Sequence, residues 1–206
     1  MPEIQTFRMR ILFCKLGRAA FLSHLEVARA LERAVRRAKL PYDISHGFSP
    51  HMRISFGVAL PVGVGGRREC ADIILTRYVK PAEALEALQD ASVPDLYVSA
   101  CEYIGKKDPA ASVAYPFSTY EVLFNQAPVS LNLPQEVVMH RKKGDRHLVV
   151  ADFLRGSLEC HGVSVTFTLE SKPSGSLRPD LIVKELLATN EGLHCLSITR
   201  TMQCAG

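Results

Sequence analysis

The chain has 206 residues, 47% of them hydrophobic and 22% charged, enough apolar material for one large domain or two small ones and too much for a disordered chain. No apolar run approaches the roughly 18 residues that cross a bilayer, and the opening MPEIQTFRMR has no signal-peptide apolar stretch, so a cytoplasmic location is expected. The net charge of +4 is concentrated in residues 8–53, which hold ten basic side chains against three acidic ones, and an anionic partner is therefore sought there.

In chain order, Phe7 to Leu16 alternates as a strand, with Phe7, Met9, Ile11 and Phe13 on one face and Arg8 and Arg10 on the other. Ser23 followed by Glu26 has the form of a capping box and predicts a helix to about Lys39, before Pro41. Val27, Leu31, Ala34 and Val35 form its apolar stripe, and Arg29, Arg33, Arg36 and Arg37 fall largely opposite. A turn-rich stretch, Asp43 to His51, precedes a short strand from Met52 to Val58. A loop with Pro61, Gly63, Gly65 and Gly66 leads into a strand from Glu69 to Tyr78. Pro81 opens a second helix through Leu88, and Leu96 to Ile104 is a fourth strand. The order β-α-β-β-α-β with right-handed crossovers predicts a ferredoxin-like sandwich over residues 1–106.

Residues 107–117 read as a linker. Residues 118–206 read as a second, degenerate ferredoxin-like domain of the same α+β class, its first helix eroded. Its expected strands are Thr119–Asn125, Arg146–Val150, Val163–Glu170 and Cys195–Met202, with a helix from Arg178-Pro179-Asp180 to Ala188. Pro134 to His140 is a short element of unassigned type, Lys142-Lys143-Gly144-Asp145 a turn, and Ala151 to Cys160 the place for one helical turn. The six cysteines, Cys14, Cys70, Cys101, Cys160, Cys195 and Cys204, lack any CxxC pair. They are expected to be reduced, mostly buried thiols, with no zinc or iron–sulfur ligation.

Phe21-Leu22-Ser23-His24-Leu25, Arg33, Arg36-Arg37, the run Gly47 to Phe56 (GFSPHMRISF) and Leu60-Pro61-Val62-Gly63 together resemble the radical SAM-linked protein family. The resemblance is dense over residues 7–105 and thinner from 118 to 204. It implies a bacterial domain of unknown function that accompanies a cobalamin-binding radical SAM protein, as an accessory to RNA modification or maturation. The chain lacks the cysteine cluster that a radical SAM enzyme itself would carry.

Two groups of residues could carry chemistry. His24 sits in the first helical turn beside Ser23, and is either a core histidine or a neutral base, donor or ligand. His51, Arg53 and Ser55 alternate in phase and project from one side of their strand. Such a face suits an anion or phosphate, with Arg supplying paired donors, or is simply an exposed polar face. Ser23 and His24 would join the same pocket if the helix returns its N-terminus to that edge. The candidate anion or RNA site is thus Ser23, His24, Arg33, Arg36, Arg37, His51, Arg53 and Ser55. The loop Pro61 to Arg68 lacks the Lys-Ser/Thr of a P-loop, so nucleotide hydrolysis is not expected. No metal site or cofactor is expected, although His24, His46 and His51 could be weighed as a three-histidine set.

These readings lead first to a non-enzymatic module that binds tRNA or rRNA beside a radical SAM partner. One alternative is a metal-independent endoribonuclease using His51 or His24 with Arg53. The other is a pure protein–protein adaptor.

Overall fold

The alternating stretch expected near the N-terminus forms β1 (Phe7–Lys15), whose Met9, Ile11 and Phe13 are buried together. A computed structural model describes residues 5–140 and 144–205. It divides into two compact units, one up to Tyr115 and one from Pro116. Among the described residues no helix is long and apolar enough to cross a membrane.

In the first unit β1 is followed by a short 3-10 turn, Gly17–Phe21, and α1 (His24–Arg37). β2 (Ile54–Phe56), β3 (Val64–Leu75), α2 (Pro81–Ala91), β4 (Val98–Ile104) and the short α3 (Ala111–Ala114) complete it. β1 pairs antiparallel with both β3 and β4, and β2 pairs antiparallel with the other edge of β3. The order β4-β1-β3-β2 with α1 and α2 as crossovers is the ferredoxin-like arrangement expected from the sequence. Val27, Leu31 and Val35 of α1 and Leu88 of α2 share one core with Met9, Ile11, Phe13, Ala71 and Ile73.

The glycine stretch was expected to be all loop, but Val64, Gly65 and Gly66 already belong to β3 and are buried. A Cβ on Gly66 would collide with the carboxylate of Glu69, and this close approach gives the glycine its place there. The expected strand Met52–Val58 shortens to β2, because Met52 makes only an isolated bridge to Ile44.

The second unit contains β5 (Phe117–Phe124), β6 (Glu136–Met139), β7 (Arg146–Val149), β8 (Leu154–His161), β9 (Ser164–Lys172), β10 (Gly175–Ser176), α4 (Pro179–Thr189) and β11 (Cys195–Cys204). β5 pairs with β11 and β9, and β8 pairs with the far edge of β9, all antiparallel. The order β11-β5-β9-β8 repeats the arrangement of the first unit. Where that unit has α1, this one has the hairpin β6–β7. The helical turn expected after Ala151 is a 3-10 turn, Val150–Asp152, and most of that stretch is β8. Lys142 and Lys143 of the expected turn lie outside the described residues.

Of the stretch read as a linker, residues 107–115 are built into the first unit. The Asp72 carboxylate is 1% exposed and meets Arg8 Nη2 at 2.6 Å and Arg10 Nε at 2.7 Å. It also accepts the Ala111 N–H at 3.0 Å, while Arg8 and Arg10 donate to the carbonyls of Asp108 and Pro109 at 2.8 Å each. Arg10 also lies 5.4 Å from the centre of the Tyr115 ring. Burial pulls the Asp72 carboxyl upward, but Arg10, Arg8 and the Ala111 N–H outweigh it and hold the group below the usual carboxylate range.

Candidate functional site

The ten basic residues of positions 8–53 are sorted by the fold. Arg8 and Arg10 neutralise Asp72, Lys15 is buried, and Arg53 Nη1 pairs with Asp43 Oδ2 at 2.7 Å. Arg37 caps α2 by donating to the Ala91 carbonyl. What stays on the outward face of α1 is Arg29, Arg33 and Arg36, four and three residues apart and all exposed. At 1.5 Å per residue they span about 10 Å along the helix. Arg33 has no ion-pair partner among the described residues. Arg36 lies 3.7 Å from Glu32 and 5.9 Å from the centre of the Tyr42 ring. Both contacts are at the surface, where an ion pair is weak and readily exchanged for a ligand.

The predicted capping box is present. Ser23 Oγ accepts the Glu26 N–H at 3.4 Å, and the Glu26 carboxylate accepts the Ser23 N–H at 2.8 Å and its hydroxyl at 2.7 Å. These bonds from Ser23 lower the Glu26 pKa, with a smaller pull from Arg29. Ser23 is therefore engaged by its own helix, and the carboxylate of Glu26 already occupies the place an anion would take.

The remaining candidates do not gather into one pocket. Directly opposed residues of paired strands share a face, so Ile54 and Phe56 lie with Ile73 and Ala71 on the helix side of the sheet. Ser55, opposite Asp72, lies on the other side, and His51 and Arg53 alternate with the buried Met52 in the same phase. The expected alternation of His51, Arg53 and Ser55 is real and all three are exposed. The sheet separates them from Ser23, His24, Arg33, Arg36 and Arg37. The physical reason is that Phe56, not Ser55, is the β2 residue facing α1. The backbone N–H of His51 donates to Ser45 Oγ at 3.0 Å. Among the described residues no group of three or more His, Cys, Asp or Glu could hold a metal ion.

His24 contributes to a different feature. Its ring stands edge-on to Phe56, 5.2 Å between centres, at the mouth of a narrow cleft. The cleft, between the start of α1 and the segment after β2, has a volume of about 30 Å³, room for a water-sized group. Phe13, Val27, Phe56 and Leu60 supply apolar walls, and Lys15 and Glu69 line it as well. Those two charged residues are only 3% and 6% exposed. Lys15 Nζ donates to the carbonyls of Pro61 at 3.3 Å and Val64 at 3.2 Å, tying the loop to the sheet. Sequence reading missed Lys15 and Glu69. The visible signal was a charged residue in the inward phase of each strand, at Lys15 after Phe13 and at Glu69 before Ala71.

Around the start of α1 lie exposed apolar side chains, Phe21 at 70% at the end of the 3-10 turn and Leu25 at 67% in the first turn of α1. The Gly63 N–H donates to the Ala20 carbonyl at 2.9 Å and brings the loop of the exposed Val62 beside them. None of the six cysteines is in a disulfide. Cys14 and Cys70 are buried, Cys101 and Cys195 half-buried, and Cys160 and Cys204 exposed, so burial is less general than expected. Burial pushes the Cys101 thiol up to about 12, which leaves it protonated and a poor nucleophile.

A family model described as an uncharacterized protein conserved in bacteria (DUF2344) matches residues 8–179. No curated protein matches the chain. The family match carries no link to a radical SAM protein, which rests on the sequence resemblance alone.

Proposed function

Given that the chain belongs to this uncharacterized bacterial family, we propose that it is a non-enzymatic RNA-binding module that serves a radical SAM enzyme. Arg29, Arg33 and Arg36 on the outward face of α1 meet the sugar-phosphate backbone of a tRNA or rRNA. The observation that carries this reading is the arginine stripe itself: three exposed guanidinium groups on one face, while Arg8 and Arg10 are paired with Asp72 and Arg53 with Asp43. Guanidinium groups in a row favour phosphate oxygens through paired, charge-assisted hydrogen bonds, and their binding is salt-dependent.

The radical SAM partnership is supported by the sequence resemblance, and Phe21, Leu25 and Val62 offer an apolar patch of the kind that anchors a protein partner. The endoribonuclease reading is weaker. It needs a histidine and Arg53 around one phosphate; His51 shares the exposed face of Arg53, but Arg53 is paired with Asp43 and His24 lies on the other side of the sheet.

The test is binding of cellular tRNA and rRNA fragments as a function of salt, wild type beside Arg33→Ala/Arg36→Ala. Loss of two phosphate contacts should reduce the slope of log K against log salt by about 1.4 on single strands. Unchanged affinity and slope at low salt would sink the proposal.

A further inference from the structure

Beyond the C-terminal end of α1, the hairpin that precedes β2 forms one wall of a larger hollow. The neck of that hairpin is fixed by hydrogen bonds. The Ser45 N–H donates to the His51 carbonyl at 2.8 Å, the His51 N–H to Ser45 Oγ at 3.0 Å, and the Arg53 N–H to the Asp43 carbonyl at 2.9 Å. Thr76, just past β3, lines the hollow as well and is held to the Pro41 carbonyl by its N–H at 2.7 Å and its hydroxyl at 3.0 Å. The hollow has a volume of about 520 Å³ and opens to solvent, within the range of about 300–1,000 Å³ in which proteins hold small molecules. Tyr42, Ile44 and Pro50 give it apolar surface, and its one carboxylate, Asp43, is already paired with Arg53. Among the described residues no lysine or arginine lines it, so a phosphate finds no countercharge inside. Two hydroxyls keep unused capacity. Ser45 Oγ accepts from His51 and still has its proton to donate, while Thr76 Oγ1 gives its proton to Pro41 and still has lone pairs to accept. The lining therefore suits a neutral, flat group with both a donor and an acceptor on its edge.

We propose that this hollow receives one unpaired base, with its ribose, of the RNA whose backbone runs along Arg29, Arg33 and Arg36, a proposal that rests on the RNA reading above. Arg36 is the junction between the two features. Its guanidinium lies 5.9 Å from the centre of the Tyr42 ring, which is itself part of the wall. The bridge from Tyr42 to the core residue Leu75 places Tyr42 on the helix side of the sheet, the side of the arginine stripe. The exposed Lys39 lies between Arg36 and Tyr42 in the chain and extends the run of cations toward the hollow. Anionic backbone outside and a neutral base inside match this separation of charge.

The experiment titrates the full chain with total tRNA and with a labelled single-stranded RNA of mixed sequence, about six nucleotides long, within the range one module covers. A matched set of oligonucleotides carries one abasic residue at successive positions. One abasic position should cost about tenfold in affinity and leave the salt slope unchanged, because no phosphate contact is lost. Thr76→Tyr fills the hollow from an exposed position and keeps the backbone bond to Pro41. It should cost a similar factor on tRNA and on the intact oligonucleotide, and add nothing on that abasic one. The abasic set leaves the protein untouched, so the proposal stays testable if Thr76→Tyr fails to fold. The result that overturns it is equal binding of every abasic oligonucleotide and full tRNA affinity in Thr76→Tyr, while Arg33→Ala/Arg36→Ala still weakens binding; the arginine reading then survives alone. Absence of any RNA binding removes both. Shifts of the Tyr42 and His46 resonances by a nucleoside monophosphate, in a protein that binds no RNA, would make the hollow a free-nucleotide site and overturn the RNA assignment.

Discussion

The two units carry the same antiparallel strand order, yet the connection between their first and second ferredoxin-type strands differs completely. In the first unit it is α1, fourteen residues with a capped start, a buried apolar stripe and an outward arginine stripe. In the second it is the hairpin β6–β7 after a long loop. Pro128 and Pro134 sit in that loop and cannot continue a helix, since each lacks the donor the helix needs. Charge follows the same division. The excess over residues 8–53 has no counterpart in residues 107–206, where ten basic and ten acidic residues cancel. The scaffold thus tolerates loss of one crossover helix, and the unit that keeps it uses its free face to present cations.

Each unit also has its own polar fastening, and mutations there separate the two. The largest effect is expected in the first unit. Asp72→Asn strips the countercharge from the buried Arg10 and should cost about 3–5 kcal/mol, read by urea denaturation with hydrogen exchange locating the loss. The wild-type pH dependence has a defined sign. Because the folded state holds the Asp72 carboxyl below its unfolded value of about 3.9, its contribution is complete above that pH. It is lost as pH falls through the lower folded value. An acid titration in which Asp72→Asn and wild type lose stability in parallel below pH 4 would contradict this assignment.

The second unit is fastened by Asn190, which is buried beyond the end of α4. Its Oδ1 accepts the N–H groups of Val129 and Ser130 at 2.7 and 2.8 Å, and its Nδ2 donates to Ser130 and Leu186 carbonyls at 2.9 and 2.8 Å. It ties down the loop that replaces the missing helix. Asn190→Ala should cost about 1–3 kcal/mol for each buried group left unpaired, with exchange accelerated at Val129 and Ser130. The smallest effect belongs to Ser23→Ala, about 1 kcal/mol from loss of the cap on α1. RNA affinity should be nearly unchanged in that variant, since Ser23 is engaged by Glu26 rather than by a ligand. A large loss of RNA affinity would return Ser23 to the binding site.

Much of the scaffold was legible because its signals are local. The alternation of Phe7, Met9, Ile11 and Phe13 identified β1, and Ser23 with Glu26 marked the start of α1 to the residue. The outward placement of Arg29, Arg33 and Arg36 follows from the 3.6-residue period, and the exposed phase of His51, Arg53 and Ser55 from the period of two. The site was legible only in part, because grouping residues from different elements depends on which face of the sheet each occupies.

The chain by itself therefore determined the elements, their order and the charge available in residues 8–53. Tertiary structure decided how that charge is used. Arg8 and Arg10 lie 64 and 62 residues from Asp72, and only the β1–β3 register brings the carboxylate to them. The β2–β3 register turned Phe56 toward His24 and Arg53 away, dividing one expected pocket into a paired surface and a narrow cleft. Propensity and periodicity act over a few residues, whereas ion pairing and cleft formation depend on contacts that exist only once the sheet is assembled.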